Sequence, residues 1–210
     1  MAAELLADDP FAPEVVSSET AFEGKIWNIR RDVFRYNEAE ITREYVDHPG
    51  AVAVFAMDDD ERVLLIKQYR HPVRHREWEI PAGLLDVAGE DPLHAAKREL
   101  AEEADFEADR WNVLGEFYTS PGGSDEAIRI YLARSLSAKD HAFDRFDEEA
   151  DIEVRWVALD ELVDAVLTHR VQNPSLTIAA LTAHISRERG WASLGPADAP
   201  WVARPSRGGA

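Results

Sequence analysis

The chain has 210 residues, with 41 acidic against 23 basic side chains and a formal net charge of −18. That balance disfavours a polyanion such as DNA as the natural partner, because affinity there depends on cationic contacts to phosphates. Cysteine is absent, which excludes disulfides, thiolate metal sites and cysteine nucleophiles. No apolar run approaches the roughly 20 residues of a membrane span, and the acidic start lacks a signal-peptide pattern. A cytoplasmic protein with no membrane partner is the expectation.

In chain order, residues 1 to about 13 are acidic, carry proline and read as loose. Alternating segments at 25–34 and 41–46 read as paired strands around a turn at Tyr36-Asn37-Glu38. Residues 51–57 form a buried strand, and the acidic turn Asp58-Asp59-Asp60-Glu61 leads into another at 63–70. Trp78 to Asp86 is a strand running into a glycine turn and loop. A strong helix with a small-residue packing face follows, built on Leu93, Ala95, Ala96, Leu100 and Ala104. Strands at 112–118 and 127–133 bracket the turn Thr119 to Ser124. A strand at 152–157, helices at 159–168 and about 175–189, and a Pro, Gly and Ala-rich tail at 191–210 complete the chain. Strands outnumber helices and the best helix lies between strands, which predicts an α/β sandwich with a mixed sheet between helices.

The chemistry concentrates on that helix. Glu99 and Glu103 are four residues apart, so they stand one turn apart on one face, about 6 Å along the axis. Glu102 flanks the same face. Like charges so spaced weaken a helix by a few tenths of a kcal/mol per pair. A hard divalent cation accepting carboxylate oxygens is the natural compensation.

The order of strand, glycine loop and acidic helix resembles the Nudix box, G-x5-E-x7-R-E-U-x-E-E-x-G-U with U apolar. Seven residues separate Glu90 from Arg98, and Glu99, Leu100, Glu102, Glu103 and Phe106 follow in register. Two positions depart from the pattern. Six residues rather than five separate Gly83 from Glu90, which puts the extra residue within Val87-Ala88-Gly89, and Asp105 stands where the family has glycine. Aspartate tolerates the left-handed conformation that ends a helix, so the helix is expected to stop there.

The resemblance implies a Nudix fold over roughly residues 50–190. It divides the chain into an N-terminal strand region (1–47), a Nudix hydrolase domain (48–190) and a flexible tail (191–210). It implies Mg²⁺, with Mn²⁺ as a substitute, on Glu99 and Glu103, with Glu102 auxiliary and the Ala82 carbonyl as a further ligand. Gly83 belongs to the motif's turn, and Arg98 is expected to pair with Glu90 and brace loop against helix. In the family a glutamate on a later loop handles the water, and here Glu148 and Glu149 are both eligible. Pro121, sixteen residues past Asp105 in the Ser120-Pro121-Gly122-Gly123 turn, marks the ADP-ribose pyrophosphatase group. Glu126 is placed to accept from a ribose hydroxyl. Trp27, Arg43 and Arg70 occupy positions where the family puts an adenine-stacking ring and diphosphate-binding cations, although Trp27 equally fits a core position on an alternating strand. Kinship also implies a homodimer built through the N-terminal strands.

The expected activity is Mg²⁺-dependent cleavage of ADP-ribose, a small nucleoside diphosphate sugar, to AMP and ribose 5-phosphate. Two alternatives remain open: a hydrolase of another nucleoside diphosphate sugar or a broader range, and a sensor that binds such a nucleotide without cleaving it.

Overall fold

The computed structural model describes residues 6–139, 151–202 and 204. Glu148 and Glu149 lie outside the described residues. Backbone proximity divides the chain into two units, one reaching from the N-terminus to His48 with the loop Ser120–Asp125, the other comprising the rest.

The first unit is an antiparallel sheet of β1 (Val15–Phe22), β2 (Asn28–Tyr36) and β3 (Ala39–Asp47), in the order β1-β2-β3. The hairpin between β2 and β3 pairs Tyr36 with Ala39 across Asn37 and Glu38, with Asn37 at φ 54°, a two-residue turn of the kind asparagine favours. β1 does not follow from the sequence pattern. Every one of its residues is exposed, so its side chains carry no inside–outside alternation. The segment expected to begin a strand at Lys25 is instead part of a turn: a Cβ on Gly24 would meet the Trp27 carbonyl oxygen at 2.1 Å, so glycine is required there. Ser120–Asp125 is pinned to β3, since Val46 N–H donates to the Gly123 carbonyl at 3.0 Å and His48 N–H donates to Asp125 Oδ1 at 2.8 Å.

In the second unit, β4 (Ala51–Ala56) is buried along its whole length, and its period of two assigns its neighbours. Val52, Val54 and Ala56 pack with Ala95, Ala96, Leu100 and Ala104 of α1 (Pro92–Ala104). Ala51, Ala53 and Phe55 pack with Leu159 and Leu162 of α2 (Leu159–Leu167) and with Leu176, Ala179, Ala180 and Ala183 of α3 (Pro174–Glu188). The sheet between them runs β11-β8-β9-β4-β7. Its members besides β4 are β7 (Ala82–Leu84), β8 (Phe106–Tyr118), β9 (Ala127–Ala138) and β11 (Gly195–Pro196). β4 and β9 are parallel and the other pairs antiparallel, which is the mixed sheet between helices that the sequence predicts. A second, antiparallel sheet joins β10 (Glu153–Ala158), β5 (Arg62–Arg70) and β6 (His75–Glu79).

Boundaries also differ from expectation at β8, at β9, which runs on to Ala138, and in the C-terminal segment. β8 starts at Phe106, earlier than its apolar run, because pairing to β9 carries the mostly polar stretch Glu107-Ala108-Asp109-Arg110 into the sheet. Residues 191–202, read from composition as flexible tail, are ordered. Gly195 and Pro196 pair with Val113 and Asn112, and Asn112 Nδ2 donates to the Gly195 carbonyl at 3.2 Å. Buried Arg129 donates to the Ala199 carbonyl at 2.8 Å and to Glu116, and its guanidinium lies 5.0 Å from the Trp201 ring centroid. Trp201 also packs against the α1-side core. Trp201→Ala is therefore expected to lower stability by about 2 kcal/mol through lost packing and cation–π contact, read as a shifted urea midpoint at unchanged slope.

Candidate active site

α1 is fitted into the site at both ends. Asp91 caps its N-terminus, its side chain accepting from Leu93 N–H at 2.9 Å and His94 N–H at 3.3 Å, and Pro92 opens the first turn. At the C-terminus Asp105 adopts φ 59°, ψ 34°, and its N–H donates to the Ala101 carbonyl at 3.1 Å. Aspartate thus serves in the left-handed position, as expected. The additional loop residue is absorbed in a turn in which Glu90 N–H donates to the Val87 carbonyl at 3.1 Å and Gly89 takes φ +78°.

These ends determine which faces the box side chains present. Glu103 is 5% exposed, and its Oε2 accepts from Ala82 N–H at 2.9 Å. A Cβ on Gly83 would sit 1.9 Å from Glu99 Oε1, so the missing side chain is what lets the Glu99 carboxylate lie against the β7 backbone. Arg98 does more than the expected brace. Its Nε and Nη2 reach the two oxygens of Glu90 at 3.1 Å each, while Nη1 donates to Glu99 Oε1 at 2.6 Å and to Glu102 Oε2 at 3.1 Å. Hydrogen bonding to Glu90, with the charge of Glu99 and hydrogen bonds to Glu99 and Glu102, outweighs burial and raises the affinity of the Arg98 guanidinium for its proton. The same hydrogen bond holds Glu90 below the usual carboxylate range.

The donor set suits a hard divalent ion. Glu99, Glu102, Glu103 and the Ala82 backbone offer oxygen ligands alone, and the Ala82 N–H orients one of the carboxylates. Among the described residues no three His, Asp or Glu side chains form a ready-made cage. An ion of the Mg²⁺ type keeps several waters and uses one or two carboxylates, and these residues fit it.

The remaining predicted site residues lie on other elements. Arg70 ends β5 and makes a two-point ion pair with Glu79, Nε to Oε1 at 2.8 Å and Nη2 to Oε2 at 2.7 Å. Glu126 Oε2 accepts from Thr119 Oγ1 at 2.7 Å. In the first unit, Trp27 stacks on His48 with centroids 4.6 Å apart and planes at 27°, which identifies it as a half-exposed stacked ring and not a core tryptophan. Arg43 donates to the Thr42 carbonyl at 2.8 Å. Pro121 and Gly122 lie in the turn that Gly123 N–H closes onto the Ser120 carbonyl at 2.9 Å. Sequence reasoning missed Glu79. The signal available was an acid inside the otherwise apolar run Trp78-Glu79-Ile80, where burial demands a cationic partner.

Glutamates set one turn apart against a glycine-bearing strand, inside an α/β sandwich, are the arrangement that the resemblance associates with divalent-metal hydrolases acting on phosphate compounds. The NUDIX domain model matches residues 47–178, and the chain belongs to that family, whose hydrolases generally use divalent metals. It is similar to the ADP-ribose pyrophosphatase of Mycobacterium tuberculosis, 43% identical over 92% of this chain and 93% of that one. It is also similar to the methanol dehydrogenase activator of Bacillus methanolicus, 36% identical over 80% of this chain and 91% of that one. Among solved structures, an ADP compounds hydrolase superposes with a TM-score of 0.71 at 19% identity, covering 88% of this chain and 99% of that one. That likeness establishes the fold.

The Arg98–Glu90 pair has a direction in pH. Because Glu90 is held below its ordinary value, the stability it lends is complete above the unfolded-state value and fades as pH falls through the folded one. The stability difference between wild type and Glu90→Gln is expected to be constant around neutrality and to vanish on acidification. Urea titrations at a series of pH values check this, and a difference that grew in acid would contradict it.

Proposed function

We propose that the protein hydrolyses the pyrophosphate bond of ADP-ribose to AMP and ribose 5-phosphate with Mg²⁺, for which Mn²⁺ substitutes. The observation that carries this reading is the 43% identity, across nine-tenths of both chains, to an ADP-ribose pyrophosphatase, in a chain that retains Glu99, Glu102 and Glu103. Glu99 and Glu103, with Glu102 and the Ala82 carbonyl, hold the metal. When bound, Mg²⁺ supplies charge neutralisation on the diphosphate and eases deprotonation of the attacking water. Arg70 and Arg43 offer guanidinium groups to the diphosphate, Trp27 offers a ring face to adenine, and Glu126 an acceptor to a ribose hydroxyl. The Pro121-Gly122 turn contributes to substrate choice. As water's oxygen bonds to phosphorus, the P–O bond of the bridge breaks, and the water's proton passes to Glu149, or to its neighbour Glu148.

A broader range over nucleoside diphosphate sugars is the second reading, favoured by likeness to the GDP-mannose pyrophosphatase of Citrobacter koseri, 30% identical over 70% of this chain and 80% of that one. Incubation with ADP-ribose, NAD, UDP-glucose and diadenosine compounds, with and without Mg²⁺, separates the readings. ADP-ribose is expected to be cleaved fastest, and only with the metal. Comparable rates on several compounds favour the broad enzyme, and absence of AMP under every condition favours a sensor. In the same assay Glu149→Gln is expected to lower turnover by about 10²-fold with metal affinity unchanged. Such a loss in Glu148→Gln alone reassigns the base.

The strand region at residues 1–47 is proposed to build a homodimer in the cytoplasm. Support comes from a three-stranded sheet without one fully buried residue, on which Val15, Val16 and Phe22 are exposed, Phe22 by 61%. A surface of that kind needs covering. Sedimentation equilibrium is expected to give twice the chain mass of 23.6 kDa, and Phe22→Asp to shift it toward the monomer.

A further inference from the structure

We infer that Glu79 is a positioning residue, which holds the Arg70 guanidinium in place for the diphosphate and ties it to the segment leading into β7, the strand that orients the metal carboxylates. The inference rests on the reading of Arg70 as a diphosphate-binding cation.

Glu79 is 3% exposed, while the Arg70 side chain it grips is 41% exposed. A carboxylate taken out of water needs a cation with matching geometry, and the planar fork of arginine meets both oxygens at once. β5 and β6 are antiparallel, with Ile66 opposite Glu79 and Arg70 opposite His75. The Arg70 side chain must therefore run back along the sheet to reach Glu79. That path fixes its Nε and Nη2 edge, and the guanidinium's orientation is set by a buried group rather than by solvent.

The location of Glu79 gives the pair its consequence. Ala82, three residues on, binds Glu103 through its N–H, and Gly83 leaves the space that Glu99 occupies. The backbone between is held, since Val54 N–H donates to the Pro81 carbonyl at 2.7 Å and β7 pairs with β4. Residues 79–83 thus carry, on one braced segment, the anchor of Arg70 and the contacts of two metal-site glutamates. Separation between the diphosphate's cation and the metal carboxylates is then set by backbone, and a diphosphate that bridges them meets a preformed spacing.

A double-mutant cycle on Glu79 and Arg70 tests this, measured with whichever compound of the nucleotide panel the wild-type protein cleaves fastest, or binds tightest if it cleaves none. Glu79→Gln is expected to raise KM, or Kd, by about tenfold, with kcat and the Mg²⁺ activation constant changed less than about twofold. In an Arg70→Ala background the same substitution is expected to leave KM unchanged. Glu79→Asp keeps the charge but withdraws it by one methylene and is expected to give the same pattern, which serves if the Gln variant does not fold. An unchanged KM in a folded Glu79 variant overturns the inference, as does an effect that persists after Arg70 is removed. Failure of ADP-ribose as a ligand overturns only the substrate assignment, because the cycle is read on the compound that works.

Discussion

Crowding of negative charge on one turn of α1 is the constraint around which the site is arranged. Glu99, Glu102 and Glu103 would push each other apart in an isolated helix, and Glu90 adds a further charge from the loop. Arg98 answers three of the four, touching Glu90, Glu99 and Glu102 with a single guanidinium. Glu103, the most buried of those on the helix, is answered by a backbone N–H instead. The two solutions differ in kind. A guanidinium can be shared and can yield ligands to a metal, whereas a backbone N–H inside a paired strand stays where the sheet puts it.

Helix position follows from its ends and its small side chains. Asp91 and Asp105 terminate α1 so that Ala95, Ala96, Leu100 and Ala104 face β4. Alanines on that face let the helix lie close to the sheet, and closeness is what brings Glu99 onto Gly83. A larger side chain at either contact would lift the carboxylate from the strand, so the packing of the core and the chemistry of the site are one geometric problem.

What could be read from the sequence depended on whether an element announces itself through its own residues. β4 is a continuous apolar run, α1 repeats small and apolar residues at helical spacing, and the box glutamates keep a fixed interval, so all three were legible. β1 has an exposed side chain at every position and is recruited by pairing to β2, which leaves no period to detect. Residues 191–202 are held by Trp201, Arg129 and a two-residue bridge, and such single contacts are invisible to composition. Arg70 was legible as a cation at a strand end, but its partner was not, because the side chain reaches across a register that only the folded sheet defines. Glu148 and Glu149 were legible as acids of a loop and lie outside the described residues.

These arrangements bear on how an acidic protein takes an anionic ligand. The box sets four glutamates against one arginine, and Arg70 is matched by Glu79. A diphosphate approaching this side of the molecule meets a formal excess of negative charge, within a chain that is negative overall. Arginines already bound to carboxylates can orient a phosphate but do little to attract one, since much of their field is cancelled locally. On the proposed reading, attraction comes from divalent cations held by the box glutamates, which would reverse the local sign. Metal and nucleotide binding are then coupled by electrostatics, and the excess of acids keeps the site unreceptive to a diphosphate that arrives without the ion.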